Sequence, residues 1–101
     1  MKYFVQVIMS LFFVTSLQVH ADSGSDLYMS KGCIGCHGAA GMAPMAPIYP
    51  KIGNQNKQYI INQLKDFKNG SRNNGMAAMM TGFVATMTEA EIEALADYLS
   101  K

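Results

Sequence analysis

The sequence predicts an all-α fold, and three observations carry that reading. Apolar residues return at helical spacing in three separate stretches, near 24–31, 57–69 and 89–99. Each stretch opens on a side chain suited to capping a helix, and the first two close on a glycine. Nowhere does a strand pattern alternate with these helices, as a β/α domain would require.

The chain has 101 residues, so one small domain is the ceiling. Residues 1–21 read as a secretory leader. Lys2 gives a positive start, Tyr3 to Val19 is largely apolar, and Val19-His20-Ala21 ends in a small residue suited to cleavage after Ala21. An uncleaved membrane anchor is the rival reading. The stretch is short for a span and is broken by Gln6, Ser10, Thr15, Ser16 and Gln18. The expected mature domain is residues 22–101, exported to the periplasm, with no lasting membrane insertion once the leader is gone. Eight Lys and Arg stand against seven Asp and Glu, and losing Lys2 leaves seven of each. A near-neutral domain lacks the basic footprint of a nucleic-acid binder.

In chain order, Asp22 or Ser23 can cap a first helix to about Lys31, with Leu27 and Tyr28 on its apolar side and Gly32 ending it. The next five residues are Cys33-Ile34-Gly35-Cys36-His37. At this spacing two thiols reach the two vinyl groups of one porphyrin, and the adjacent histidine falls under the iron as an axial ligand. Cys-x-x-Cys alone also suits a dithiol redox pair, half a zinc site or a local disulfide. Zinc would need two more Cys or His, and the only other histidine is His20, inside the leader. A thioredoxin-like pair would need a preceding strand. The motif therefore predicts one covalently bound haem c, held by Cys33 and Cys36, with His37 on its iron. A mature chain of about 80 residues buries a marginal core, so haem would supply much of the missing apolar surface and the apoprotein should fold poorly.

Residues 38–55 are punctuated by Gly38, Gly41, Pro44, Pro47, Pro50 and Gly53 and read as a loop. Met42, Met45, Ile48, Tyr49 and Ile52 are its apolar residues, expected along the haem edge. Asn56 caps a helix over 57–69, with Tyr59, Ile60, Gln63, Leu64 and Phe67 on one face and Gly70 closing it. Residues 70–80 read as a Gly, Asn and Met-rich connection. Thr88-Glu89-Ala90-Glu91 is a capping box, and Ile92, Leu95, Ala96 and Leu99 form the stripe behind it. Glu89, Glu91 and Glu93 suit the positive end of the helix dipole and need no metal to explain them.

These residues resemble the class I c-type cytochromes, in particular the small monohaem periplasmic type related to cytochrome c4 and cytochrome c-553. The resemblance covers nearly all of residues 24–100. It rests on Gly24 and Tyr28, on the haem motif with Gly38, on Pro50-Lys51-Ile52-Gly53-Asn54-Gln55 followed by Tyr59, Gln63-Leu64, Phe67-Lys68, Gly70 and Arg72, and on Met87-Thr88 with Glu91-Ile92, Leu95-Ala96 and Tyr98. Gly53-Asn54 and Met87-Thr88 depart slightly from the family's usual wording. The resemblance implies the cytochrome c fold: first and last helices crossing, with Gly24 and Tyr28 against Leu95 and Tyr98, and helices and loops wrapped around the haem. It implies that the Pro50 carbonyl accepts the proton on the second ring nitrogen of His37. It also implies a methionine as the second iron ligand, eight residues before the capping Thr88. That register gives Met80, with Met79 and Met76 as the alternatives.

The implied function is one-electron transfer without catalysis, between transient periplasmic or membrane-bound redox partners. The alternative is a haem-based small-ligand sensor or a peroxidase-like protein, which a weak or displaced methionine would permit. Lys31, Lys51, Lys57, Lys65, Lys68 and Arg72 either gather at the haem edge or are scattered for solubility.

Overall fold

Five α-helices and one 3₁₀ turn make up the regular structure of residues 23–101, the part of the chain that this computed structural model describes. The leader expected at residues 1–21 and its cleavage point lie outside them.

Helix α1 runs Gly24–Ser30. Of the two candidate caps it is Ser23 that works, its Oγ accepting the Asp26 N–H at 3.2 Å. Helix α2, Ile34–His37, is a single turn carrying the haem motif. A turn of that pitch brings residues three and four apart onto one side, so Cys33, Cys36 and His37 share a wall. A 3₁₀ turn, Ala39–Gly41, follows. Helix α3, Lys57–Asn69, begins where Asn56 Oδ1 accepts the Tyr59 N–H at 3.0 Å. It ends at Gly70 with φ 80°, a left-handed C-cap that glycine takes without a Cβ penalty.

Helix α4, Ala77–Val84, begins inside the stretch 70–80 that the sequence reads as connection. Its eight residues are almost all apolar, so no polar face betrays a helical period, and Met76 at its start makes no side-chain cap. Packing against α3 holds it; its own end signals do not. Helix α5, Glu89–Leu99, carries the expected capping box in full. Thr88 Oγ1 accepts the Glu91 N–H at 3.1 Å, and Glu91 Oε1 accepts the Thr88 N–H at 3.0 Å.

The core joins Tyr28, Ile60, Leu64, Phe67, Val84, Met87, Ile92, Leu95, Ala96 and Leu99. Helix α1 lies directly on α5. A Cβ on Gly24 would collide with the Ala94 carbonyl oxygen and with Tyr98 Cβ. The Tyr28 and Tyr98 rings stand 5.5 Å apart beside that contact. This is the helix pairing the resemblance implies, and the regular structure of the described residues is all helical, with no strand among them. Lys57 to Glu93 and Asp97, and Lys65 to Glu89, tie α3 to α5 on the outside. Exposed pairs of this kind contribute roughly 0.2–1 kcal/mol each.

Candidate haem site

The loop that follows α2 is held from inside by one residue. Gly41 O accepts both the Ile52 N–H at 2.9 Å and the Gly53 N–H at 3.0 Å. Its own N–H goes to the Tyr28 hydroxyl at 2.9 Å, and that hydroxyl donates to Gly38 O. Burial pushes the Tyr28 phenol above its ordinary value, partly offset by the Gly41 N–H. Two further bonds fix the loop, Met45 N–H to Cys36 O at 2.9 Å and Asn54 N–H to Leu99 O at 2.7 Å.

That anchoring sets Pro50 beside α2. Pro50 O lies 2.8 Å from His37 Nδ1. A carbonyl only accepts, so Nδ1 carries the proton and Nε2 keeps its lone pair. His37 is 6% exposed, the one buried polar or charged residue among those described. Nε2 has no hydrogen-bond partner among the described residues, yet no buried side-chain nitrogen or oxygen among them lacks one. The lone pair is therefore reachable from the cavity beside it.

The cavity is about 380 Å³. Its walls come from α2 (Cys36, His37), the loop (Ile48, Tyr49, Pro50, Ile52), α3 (Tyr59, Ile60, Leu64, Phe67), α4 and Leu99. Met42 and Met45, expected along the same edge, lie outside it, and Met45 is 70% exposed. The bond from Met45 N–H to Cys36 O turns this part of the loop back along the outside of α2. A smaller cavity of about 20 Å³ is lined by Gly32, Cys33, Cys36, His37, Met80 and Phe83. Both cysteines are free thiols, with no disulfide between them. Burial holds the Cys33 thiol above its ordinary value. The Tyr49 phenol is also raised, by the neighbouring Cys36 side chain, and its ring meets that of His37 edge-on at 6.4 Å.

Helix α4 supplies the far wall. Met76, Met79, Met80 and Phe83 follow the i, i+3, i+4, i+7 spacing of one helical face, and all four line the large cavity. Met76 is 46% and Met79 52% exposed. Met80 is half-buried against the core and, alone among the described methionines, also lines the small cavity with His37 and both cysteines. Met87 is buried in the core, away from the cavity walls. Two free thiols, an imidazole with a reachable lone pair, facing thioethers and apolar walls together fit a covalently attached haem.

The sequence-predicted cations do not gather here. Lys57 and Lys65 pair with α5, Lys31 donates to Thr86 Oγ1 at 3.3 Å, and Lys68 donates to Met87 O. Only Lys51 and Arg72 reach the cavity wall. Sequence reasoning missed what Arg72 does there: it bonds Gln63 Oε1 at 2.6 Å and sits 4.6 Å over the Phe67 ring. The signal available was Gln63, a polar residue inside an apolar stripe.

Residues 21–101 match the family model for Cytochrome c. A stretch of 68 residues is 38% identical to cytochrome c4 of Stutzerimonas stutzeri, covering 66% of this chain and 32% of that protein. Cytochrome c4 of Azotobacter vinelandii is 34% identical over 68 residues, with the same coverage. The thiosulfate dehydrogenase electron acceptor of Thiomonas intermedia (strain K12) is 44% identical over 53 residues, 52% of this chain and 23% of that protein. The chain thus spans a third or less of the length of these relatives. No helix among the described residues is long and apolar enough to cross a membrane.

Proposed function

The chain belongs to the cytochrome c family, with one covalently bound haem c and its iron as cofactor, and we propose that it is a periplasmic monohaem one-electron carrier. In this reading residues 22–101 are the working domain, released by cleavage after Ala21. Cys33 and Cys36 hold the haem by thioethers, and His37 and Met80 ligate its iron. The observation that carries the reading is the His37–Pro50 bond, with Met80 lining the same small cavity as His37.

When bound, the haem supplies an iron that cycles between Fe(III) and Fe(II). The chain's residues do the rest. The Pro50 carbonyl fixes the His37 tautomer, keeps Nε2 unprotonated and raises its basicity. The Met80 thioether is a soft, neutral donor that favours the reduced metal and raises the potential. The apolar side chains of α3, α4 and the loop keep water from the ring. If His37 and Met80 both hold the iron, the chain would leave no open position for a substrate, and the site would carry electrons without bond chemistry. One relative is, by its name, an acceptor of electrons from a dehydrogenase. That supports the same kind of role here, with periplasmic or membrane-bound redox proteins as transient donor and acceptor.

Visible spectra of the exported protein test the assignment. A six-coordinate low-spin spectrum, unchanged by carbon monoxide in the reduced state, is expected. A high-spin spectrum with rapid carbon monoxide binding would point instead to a ligand sensor or a peroxidase-like protein.

A further inference from the structure

Two Asn-Gly pairs stand between the body of α3 and the start of α4, Asn69-Gly70 and Asn74-Gly75. A glycine after asparagine leaves the next backbone nitrogen unshielded by a side chain, so that nitrogen can reach the asparagine's own amide carbon. Both pairs are exposed, and a Cβ on either glycine would meet nothing within 4 Å. Solvent access and space therefore do not separate them. Hydrogen bonding does. Asn69 is the last residue of α3, and its backbone is helical. Gly70 N–H donates to Phe67 O at 3.3 Å, and Asn69 Oδ1 accepts the Ser71 N–H at 2.9 Å. The attacking nitrogen and the amide it would attack are each already held elsewhere. Asn74 and Gly75 lie outside the helices, and among the described residues the Gly75 N–H has no acceptor. Asn74 is tied through its backbone carbonyl, which accepts the Ala77 N–H at 3.1 Å, and its side-chain amide is left to turn.

Asn74 also lines the large cavity, as Arg72 and Met76 on either side of it do. We propose that Asn74 is a site of spontaneous deamidation, and that the carboxylate formed there lowers the reduction potential of the carrier. The effect on the potential rests on the haem reading of the cavity; the modification itself does not.

The step balances without an oxidant or a reductant. Gly75 N loses its proton and attacks Asn74 Cγ. The N–Cγ bond forms, the Cγ–Nδ2 bond breaks, and Nδ2 leaves with that proton as ammonia. The product is a five-membered imide, which water opens at either carbonyl to aspartate or isoaspartate. Over both steps an amide and water become a carboxylate and ammonium, and a neutral side chain gains a negative charge. A negative charge at the wall favours the more positive Fe(III) over Fe(II). The isoaspartate form also adds a main-chain carbon just before α4, the helix that bears Met80.

The test follows purified holoprotein as it ages in mildly alkaline buffer. Trypsin cleaves after Lys68 and Arg72, which puts Asn69 and Asn74 on separate peptides. Deamidation adds one mass unit, and fragment ions separate Asn74 from Asn73. In the folded protein the peptide with Asn74 should gain mass well before the peptide with Asn69, and unfolding beforehand should bring the two rates together. Redox titration should give Asn74→Asp a lower midpoint potential than fresh wild type. Aged wild type should move toward Asn74→Asp in proportion to the fraction modified. Asn74→Gln, which would have to close a six-membered ring, should age with neither change. Asn74 that stays unmodified, or that reacts no faster than Asn69 in the folded protein, would overturn the site. Superimposed potentials for Asn74→Asp and wild type would overturn its effect on the carrier. Haem stain after denaturing electrophoresis reports covalent attachment separately. Wild type without covalent haem would overturn the carrier assignment, and the mass readout would still decide the modification.

Discussion

The Tyr28 hydroxyl accepts the Gly41 N–H at 2.9 Å and donates to Gly38 O, so the first helix holds the turn that follows the haem motif. Because Gly41 O in turn holds Ile52 and Gly53, one phenol lies at the root of the loop that presents Pro50 to His37. Tyr28→Phe keeps the ring against Tyr98 and removes only the oxygen. Two buried backbone groups lose their partner, each worth roughly 1–3 kcal/mol when left unpaired. Chemical denaturation of the holoprotein should show a loss in that range or above. A loss near zero would mean that water replaces the hydroxyl and that the loop is held by its other bonds.

Two glycines inside helices should respond to alanine with opposite signs. At Gly24 the new methyl meets the Ala94 backbone carbonyl and Tyr98 Cβ, neither of which can swing aside. Helix propensity would contribute about 1 kcal/mol in favour of alanine, but forced overpacking costs about 1–3 kcal/mol, so Gly24→Ala should be net destabilising. Gly82 sits inside α4 with nothing within 4 Å of the position a Cβ would take. There only the backbone entropy changes, and Gly82→Ala should stabilise by about 0.5–1 kcal/mol. Equal signs in the two unfolding curves would contradict the packing of α1 on α5.

The capping box gives a pH dependence of known sign. The Thr88 N–H holds the Glu91 carboxyl below its ordinary range. A depressed folded value means the contribution is fully present above the unfolded value and is lost as pH falls through the folded one. Glu91→Gln should therefore lower stability modestly at neutral pH and converge on wild type in acid, flattening part of the acid limb of the stability curve. Thr88→Ala should cost about 0.5–2 kcal/mol. An acid limb identical in Glu91→Gln and wild type would show that the box adds no pH-linked stability.

What could be read in advance follows from where the information is local. Asn56, Gly70, Thr88 and Glu91 act on their own helix ends, so both ends of α3 and the start of α5 were legible to the residue. Helix α4 was not, because it has neither cap nor polar face and exists by leaning on α3. The haem motif was legible because its chemistry lies within five residues. The bonds from Tyr28 to Gly38 and Gly41, and from Arg72 to Gln63, join separate segments. No periodicity encodes such tertiary pairings. Met42 and Met45 misled for the same reason: hydrophobicity marked them for the cavity, while the fold of the loop put them outside it.

The choice among the methionines of α4 is the sharpest remaining test. Met76, Met79 and Met80 all line the large cavity, so position on the helix face alone does not select one. Burial does. A ligand must hold its sulfur on the iron, and a side chain already fixed against the core loses less rotamer freedom in doing so. Met80 is half-buried against the core and shares the small cavity with Cys33, Cys36 and His37, whereas Met76 and Met79 are about half exposed. The register counted back from Thr88 selects the same residue. Three single Met→Ala variants of the oxidised holoprotein should be compared for the weak long-wavelength methionine-to-iron(III) absorption. Met80→Ala should abolish it and lower the reduction potential, while Met76→Ala and Met79→Ala should keep both. If Met80→Ala keeps the band and Met79→Ala loses it, the neighbouring sulfur is the ligand. The register would then be wrong by one residue, and a His/Met-ligated carrier would still stand.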